Sequence, residues 1–179
     1  MLRLFYPCEY LDSVFAIDYQ KLYDKGYRAV IFDIDNTLVH HGKDSTPEVD
    51  ALFRHIHSIG LRTLLLSNNS EERILRFLRN IDSLYIHDAQ KPKPAGYRRA
   101  VEMLGVRKEE TVFVGDQVFT DILGANLCGI DSILVSFIRR PGETKIGIRR
   151  NVEKIILRCY GLRKKLQHRL GDIRKEEAQ

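Results

Sequence analysis

The chain has 179 residues, 44% hydrophobic and 30% charged, a length that suits one domain of about 100–200 residues. A globule of this size buries roughly 70% of the surface its unfolded chain exposes, so it holds a core without disulfides or a structural metal. Collagen-like, mucin-like and largely disordered proteins are excluded by the composition.

The net charge of +5 is unevenly spread. Residues 1–138 carry 16 Lys/Arg against 19 Asp/Glu, whereas residues 139–179 carry 13 against 5. A partner selected by charge is therefore expected at the C-terminal end. Cys8, Cys128 and Cys159 are widely separated and form no CxxC or zinc pattern, as expected of reduced thiols in the cytoplasm. No apolar run approaches the roughly 20 residues needed to cross a bilayer. Pro7 and Glu9 fall where a signal peptide needs its apolar stretch, so a secreted or membrane-spanning protein is not expected.

In chain order, a helix near 18–25 ends at Gly26 and leads into an apolar strand at 29–32. A helix over 47–59 follows, started by Thr46-Pro47 and stopped by Gly60. A strand at 63–66, a helix over 70–79 with Ser70 as N-cap, and a strand at 84–86 come next. Pro94 and Gly105 bound a helix over 94–104, and a strand at 111–114, a helix over 118–127 and a strand at 132–135 complete the alternation. Strands apolar on both faces, separated by single helices, predict a doubly wound, Rossmann-like α/β domain with a parallel sheet of about five strands. One domain over 1–179 is expected, closed by a basic helix over about 148–169.

Ligands of such sheets lie beyond the carboxyl ends of the strands. Asp33-Ile34-Asp35-Asn36-Thr37-Leu38 follows the first long strand. Asp33 and Asp35, at i and i+2, share a side there and repel unless a cation or proton relieves them. Taken alone, this pair could equally be an acidic helix-capping turn. Gly115-Asp116-Gln117-Val118-Phe119-Thr120-Asp121 follows a later strand. Asp116 adds a third convergent carboxylate, and three oxygen donors suit a hard cation such as Mg²⁺. Gly115 permits close backbone approach, and Asp121 is read as supporting the metal. Ser67 and Asn68, ahead of a helix start, can bind an anion. Lys91 or Lys93, in Lys91-Pro92-Lys93-Pro94, can offset charge.

These four signals, in this chain order, resemble the haloacid dehalogenase superfamily over roughly residues 28–137. DIDNTLV and VGDQVFTDILGAN resemble its capless IIIA phosphatases and the YqeG-like family, as do the leading segment LFYPCEYLDSVFAIDYQKLYDKGYRAV and the tail TKIGIRRNVEKIILR. The resemblance implies a Mg²⁺-dependent phosphoric monoester hydrolase. Asp33 would be the nucleophile that forms an aspartyl-phosphate, and Asp35 the general acid and base. Asp33, Asp35 (through its main-chain carbonyl), Asp116 and Asp121 would hold or support the metal. Ser67, Asn68 and Lys91 would bind phosphate, with Lys91 preferred to Lys93 because it precedes the first Pro. The acid role of Asp35 requires a proton near neutral pH, so its pKa is expected to be raised by its anionic neighbours.

Residues 39–61 and 68–90 each leave room for about one helix, so no cap domain is expected and the site should admit bulky substrates. Relatives of the YqeG-like group in mitochondria and plants are phosphatidylglycerophosphate phosphatases. That makes phosphatidylglycerophosphate the leading candidate substrate, with a soluble ester or nucleotide as the alternative. A third reading is a binding protein that uses its basic tail on RNA or a ribosomal partner. From 148 onward, Ile148, Val152, Ile155, Cys159, Leu162 and Leu166 form one helical stripe. Either this stripe packs on the sheet with a solvated basic side, or it meets anionic lipid at the inner face of the membrane. Leu2, Leu4, Phe5, Tyr6 and Tyr10 are read as a strap over the core or an apolar edge touching membrane.

Overall fold

Six parallel strands form one sheet in the computed structural model, which describes residues 2–138 and 148–176. They are β1 (Glu9–Leu11), β2 (Ala29–Phe32), β3 (Arg62–Leu66), β4 (Leu84–Ile86), β5 (Thr111–Gly115) and β6 (Asp131–Val135), in the order β1-β6-β5-β2-β3-β4. The helices are α1 (Tyr19–Asp24), α2 (Pro47–Ile59), α3 (Glu71–Phe77), α4 (Pro94–Leu104), α5 (Leu123–Cys128) and α6 (Ile148–Gly161).

Side chains alternate across a strand, and the central strands feed two cores accordingly. Val30 and Phe32 of β2 join Phe53 and Ile56 of α2 and Leu22 of α1 on one face. Ala29 and Ile31 join Tyr97 and Ala100 of α4 and Ala125 of α5 on the other. Helix limits follow local chemistry: the Thr46 hydroxyl accepts the Val49 N–H at the start of α2, and Gly60 takes a left-handed φ of 100° at its end.

β1 was not expected. It is a three-residue edge strand, Glu-Tyr-Leu, paired to β6, and a buried Glu9 at its start leaves no apolar run to read. Tyr6 is likewise a core residue, so the N-terminal stretch straps the domain there while Leu2 and Leu4 stay exposed. The helix expected over 118–127 splits into a π turn, Val118–Ile122, followed by α5. The last helix stops at Gly161, well short of 169, and a 3₁₀ turn at Lys164–Leu166 follows it. Glycine is a poor helix former, and this is where the helix breaks.

The orientation of α6 corrects the packed-stripe reading. Ile148, Val152, Ile155 and Leu162 are 84%, 41%, 62% and 85% exposed. The buried face is Glu153, Ile156 and Tyr160, and the latter two pack against Tyr6, Val118, Ile122 and Leu134. Glu153 turns the helix this way: its carboxylate accepts the Val118 N–H at 2.8 Å and pairs with Arg150 at 2.9 Å.

Candidate active site

Strand order reverses between β2 and β5: the chain runs from β2 outward through β3 and β4, then returns to the other side of β2 as β5. This switch point opens a crevice at the carboxyl ends of the two strands. β2 delivers Asp33 there, its N–H bonded to the Val114 carbonyl at 2.9 Å, and β5 delivers Asp116. The π turn then brings back Asp121. Close approach is possible because residue 115 is glycine: a Cβ there would lie 2.5 Å from an Asp121 carboxylate oxygen.

Asp33, Asp116 and Asp121 are all buried, and each offers an oxygen within 4.8 Å of the others. Lys91, also buried, donates to Asp33 at 2.5 Å and to Asp121 at 2.8 Å. Lys93 instead bonds Gln90 on the surface, so of the two lysines it is Lys91 that meets these carboxylates. Burial raises the Asp33 pKa to about 6; the Lys91 charge opposes this and the Asp121 charge adds to it. Asp116 is pushed up to about 7 by burial and by the charges of Asp121 and Asp33. For Lys91, burial favours loss of the proton, but the charges of Asp121 and Asp33 outweigh it and the pKa rises. Carboxylates held at this cost, with hard oxygen donors converging, fit a divalent cation.

Asp35 belongs to a different environment, and the expectation of a raised pKa is corrected. Burial alone would raise it, but the Gly42 N–H at 2.9 Å, the Asn69 amide at 2.7 Å and the Arg73 guanidinium at 2.9 Å hold its carboxyl below the usual carboxylate value. Its side chain turns toward α3, whereas the carboxylate oxygens of Asp33, Asp116 and Asp121 cluster without it.

Ser67, at the end of β3, is buried and accepts from the Asn69 main-chain N–H and amide at 3.2 and 2.9 Å. Asn69 thereby joins Ser67 to Asp35. The Asn68 side chain serves Lys91: its carbonyl accepts the Lys91 N–H at 2.7 Å and its amide donates to the Lys91 carbonyl. Three further residues enter the site that sequence reasoning left without roles. Thr37 places its hydroxyl 3.3 Å from Asp33 and 3.2 Å from Asp116. Arg73 reaches Asp35 from α3. Arg150, read from sequence as part of the basic surface of the last helix, pairs with the Asp116 carboxylate and donates to its carbonyl at 2.6 Å. Only Thr37 had a local signal, its place within DIDNT.

Residues 41–129 match the haloacid dehalogenase-like hydrolase family. Probable phosphatase YqeG of Bacillus subtilis is 33% identical over 156 residues, 87% of this chain and 91% of that protein. The chain belongs to this hydrolase family. Within it, the hydrolase is also 28% identical to phosphatidylglycerophosphate phosphatase 1 of Arabidopsis thaliana, over 71% of this chain and 39% of that protein. Among solved structures, the cobalt-bound deoxy-D-mannose-octulosonate 8-phosphate phosphatase of Haemophilus influenzae shares the fold, with a TM-score of 0.51 at 16% identity over 79% of this chain and 92% of that one. The hydrolase carries no cap among the described residues: α2 alone joins β2 to β3, and α3 with one 3₁₀ turn joins β3 to β4. The family match begins at residue 41, after Asp33 and Asp35.

Proposed function

We propose that this hydrolase is a Mg²⁺-dependent phosphomonoesterase acting through an aspartyl-phosphate on Asp33, with phosphatidylglycerophosphate as its leading substrate. The observation that carries the proposal is the buried group at the switch point: Asp33 in contact with Lys91, beside Asp116 and Asp121. An Asp33 oxygen attacks phosphorus, and the new bond forms as the bond to the leaving alkoxide breaks. Asp35 gives the alkoxide its proton. The anionic Asp35 then takes a proton from a water whose oxygen attacks the phosphorus of the acyl phosphate, which frees inorganic phosphate and restores Asp33. Because Arg73, Asn69 and Gly42 favour the Asp35 anion, the resting group is set for the second step. The dianionic charge of the substrate supplies what raises its proton affinity for the first.

Ser67 and the main-chain N–H of Asn68 would bond the phosphoryl oxygens, while Lys91 offsets the charge shared by Asp33 and the phosphate. Asp33, Asp116 and the Asp35 carbonyl would hold the metal, with Asp121 in support. When bound, Mg²⁺ would neutralise charge on the phosphoryl oxygens. The lipid substrate is supported by the capless site, the basic C-terminal end and the similarity to a protein named for that activity. Phosphate release by wild type and Asp33→Asn, with and without Mg²⁺, on phosphatidylglycerophosphate vesicles, an aryl phosphate and nucleotides tests the proposal. Loss of release by roughly a thousandfold in Asp33→Asn is expected. Equal release by both proteins would overturn the covalent mechanism, and activity confined to soluble esters would overturn the lipid substrate.

A further inference from the structure

The exposed stripe of α6 begins at the mouth of the site. A groove of about 410 Å³ is lined by Lys91, Phe119, Ile148, Arg149 and Val152. Phe119 meets Phe5 edge-on at 5.5 Å, and the short helical turn that ends at Phe5 carries the exposed Leu2 and Leu4. Beyond the groove, Ile155 continues the stripe beside Lys154 and Arg158, and Leu162 extends it toward Arg163, Lys164 and Lys165, all exposed. From 148 to 170 the one acidic residue is Glu153, which is buried and already paired. None of Arg149, Lys154, Arg158, Arg163, Lys164 and Lys165 pairs with an acid among the described residues. Arg150 and Glu153 pin the first turns of this helix to the loop after β5, so the stripe is fixed relative to the catalytic carboxylates.

We infer that α6 docks the enzyme on an anionic bilayer surface, its aliphatic stripe entering the headgroup boundary and its cations facing lipid phosphates. An apolar stripe with basic neighbours gains both from burial and from charge at such a surface. A single-stranded nucleic acid would reward aromatic stacking platforms instead. The most exposed apolar side chains of the helix, Ile148, Val152 and Ile155, with Leu162 just after it, are aliphatic, and Tyr10 is an aromatic beside Lys154 and Arg158. Docking presents the groove beside Lys91 to the membrane. This deepens the lipid reading of the proposed function, yet it can fail independently of the catalysis.

The full-length protein is tested for co-sedimentation with phosphatidylcholine vesicles with and without phosphatidylserine, an anionic lipid that is neither substrate nor product of the proposed reaction. Binding to the anionic vesicles, weakened by added salt, is expected. It should fall roughly tenfold or more in Ile155→Asp and again in Leu162→Asp. Because both side chains face solvent, the fold and the hydrolysis of a soluble aryl phosphate should be unchanged. Met103→Asp, which alters an exposed apolar residue of α4, should bind as wild type does. No binding to anionic vesicles overturns the inference while leaving the phosphatase standing, if aryl phosphate is still cleaved. Two other results also overturn it: self-association that Ile155→Asp abolishes, which makes the occupant a second copy, and RNA binding without vesicle binding.

Discussion

Asp33 and Asp35 lie two residues apart in the chain yet have opposite electrostatic surroundings. Asp33 sits among like charges: burial and Asp121 raise its pKa, and a single ammonium restrains it. Asp35 sits among donors, the Gly42 N–H, the Asn69 amide and Arg73, which stabilise its anion. Beyond Phe32 the chain leaves the strand and turns, so the two side chains enter different compartments, one that requires added positive charge and one that already has it. In the proposed mechanism the first would accommodate a cation and a phosphate, and the second would pass a proton and take it back.

The largest expected effect comes from removing the one ammonium of the first compartment. Lys91→Met leaves Asp33 and Asp121 buried beside Asp116 without their shared partner, and breaking a buried pair in this way costs about 3–5 kcal/mol. In the metal-free wild type, the native state should already bind protons on Asp33 and Asp116 between about pH 4 and pH 7, where the unfolded carboxylates have lost theirs. Its stability contribution from these groups should therefore fall as pH rises through that window. Lys91→Met should steepen the fall, and Mg²⁺ should reduce it in wild type. Urea denaturation at several pH values, with and without Mg²⁺, measures both. A variant as stable as wild type at pH 8 without metal would show that the compartment does not strain against its own charge.

The division between what the sequence revealed and what it concealed follows the same physics. Strands buried on both faces are continuous apolar runs, so five of six were legible; β1 was not, because Glu9 is buried through His168, 2.9 Å away, from the far end of the chain. Asp33 and Asp116 were legible because each stands just beyond an apolar strand, and Asp121 because it ends the GDQVFTD run that follows β5. Arg73 and Arg150 were not, since their partners lie 38 and 34 residues away and nothing local distinguishes them from surface arginines. The periodicity of α6 put Ile148, Val152 and Ile155 on one exposed face, but it also included Cys159 and Leu166, which pack against the core, and it could not say which face packs. That choice was made by Glu153, a polar residue acting as the anchor.

An intermediate effect is expected in the second compartment. Arg73→Gln removes a charged hydrogen bond, an interaction typically contributing about 1.5–3 kcal/mol. The lower end of that range applies, because Nε and Nη1 of Arg73 are buried without hydrogen-bond partners and their desolvation cost disappears with the guanidinium. Asp35 has a depressed pKa, so the stability it contributes is present above the unfolded carboxylate pKa and lost as pH falls through the folded one. Arg73→Gln should move that loss to higher pH. Carboxyl NMR titration would detect the shift, and an unmoved Asp35 pKa would assign its depression to Gly42 and Asn69 alone.

The smallest effect falls where the central carboxylates meet. The Thr37 hydroxyl lies within reach of both Asp33 and Asp116, but it carries one proton and can donate to only one at a time. Thr37→Val keeps the shape and deletes that donor, so a loss of about 1 kcal/mol is expected in the metal-free protein. The loss should be confined to pH values at which the accepting carboxylate is ionised. Below about pH 6, Asp33 can carry its own proton and donate in turn, which makes the hydroxyl partly dispensable. Denaturation of wild type and Thr37→Val at pH 5 and pH 8 separates these cases. A difference equal at both values would mean that the threonine contributes through packing, with no part in sharing protons between the two strands.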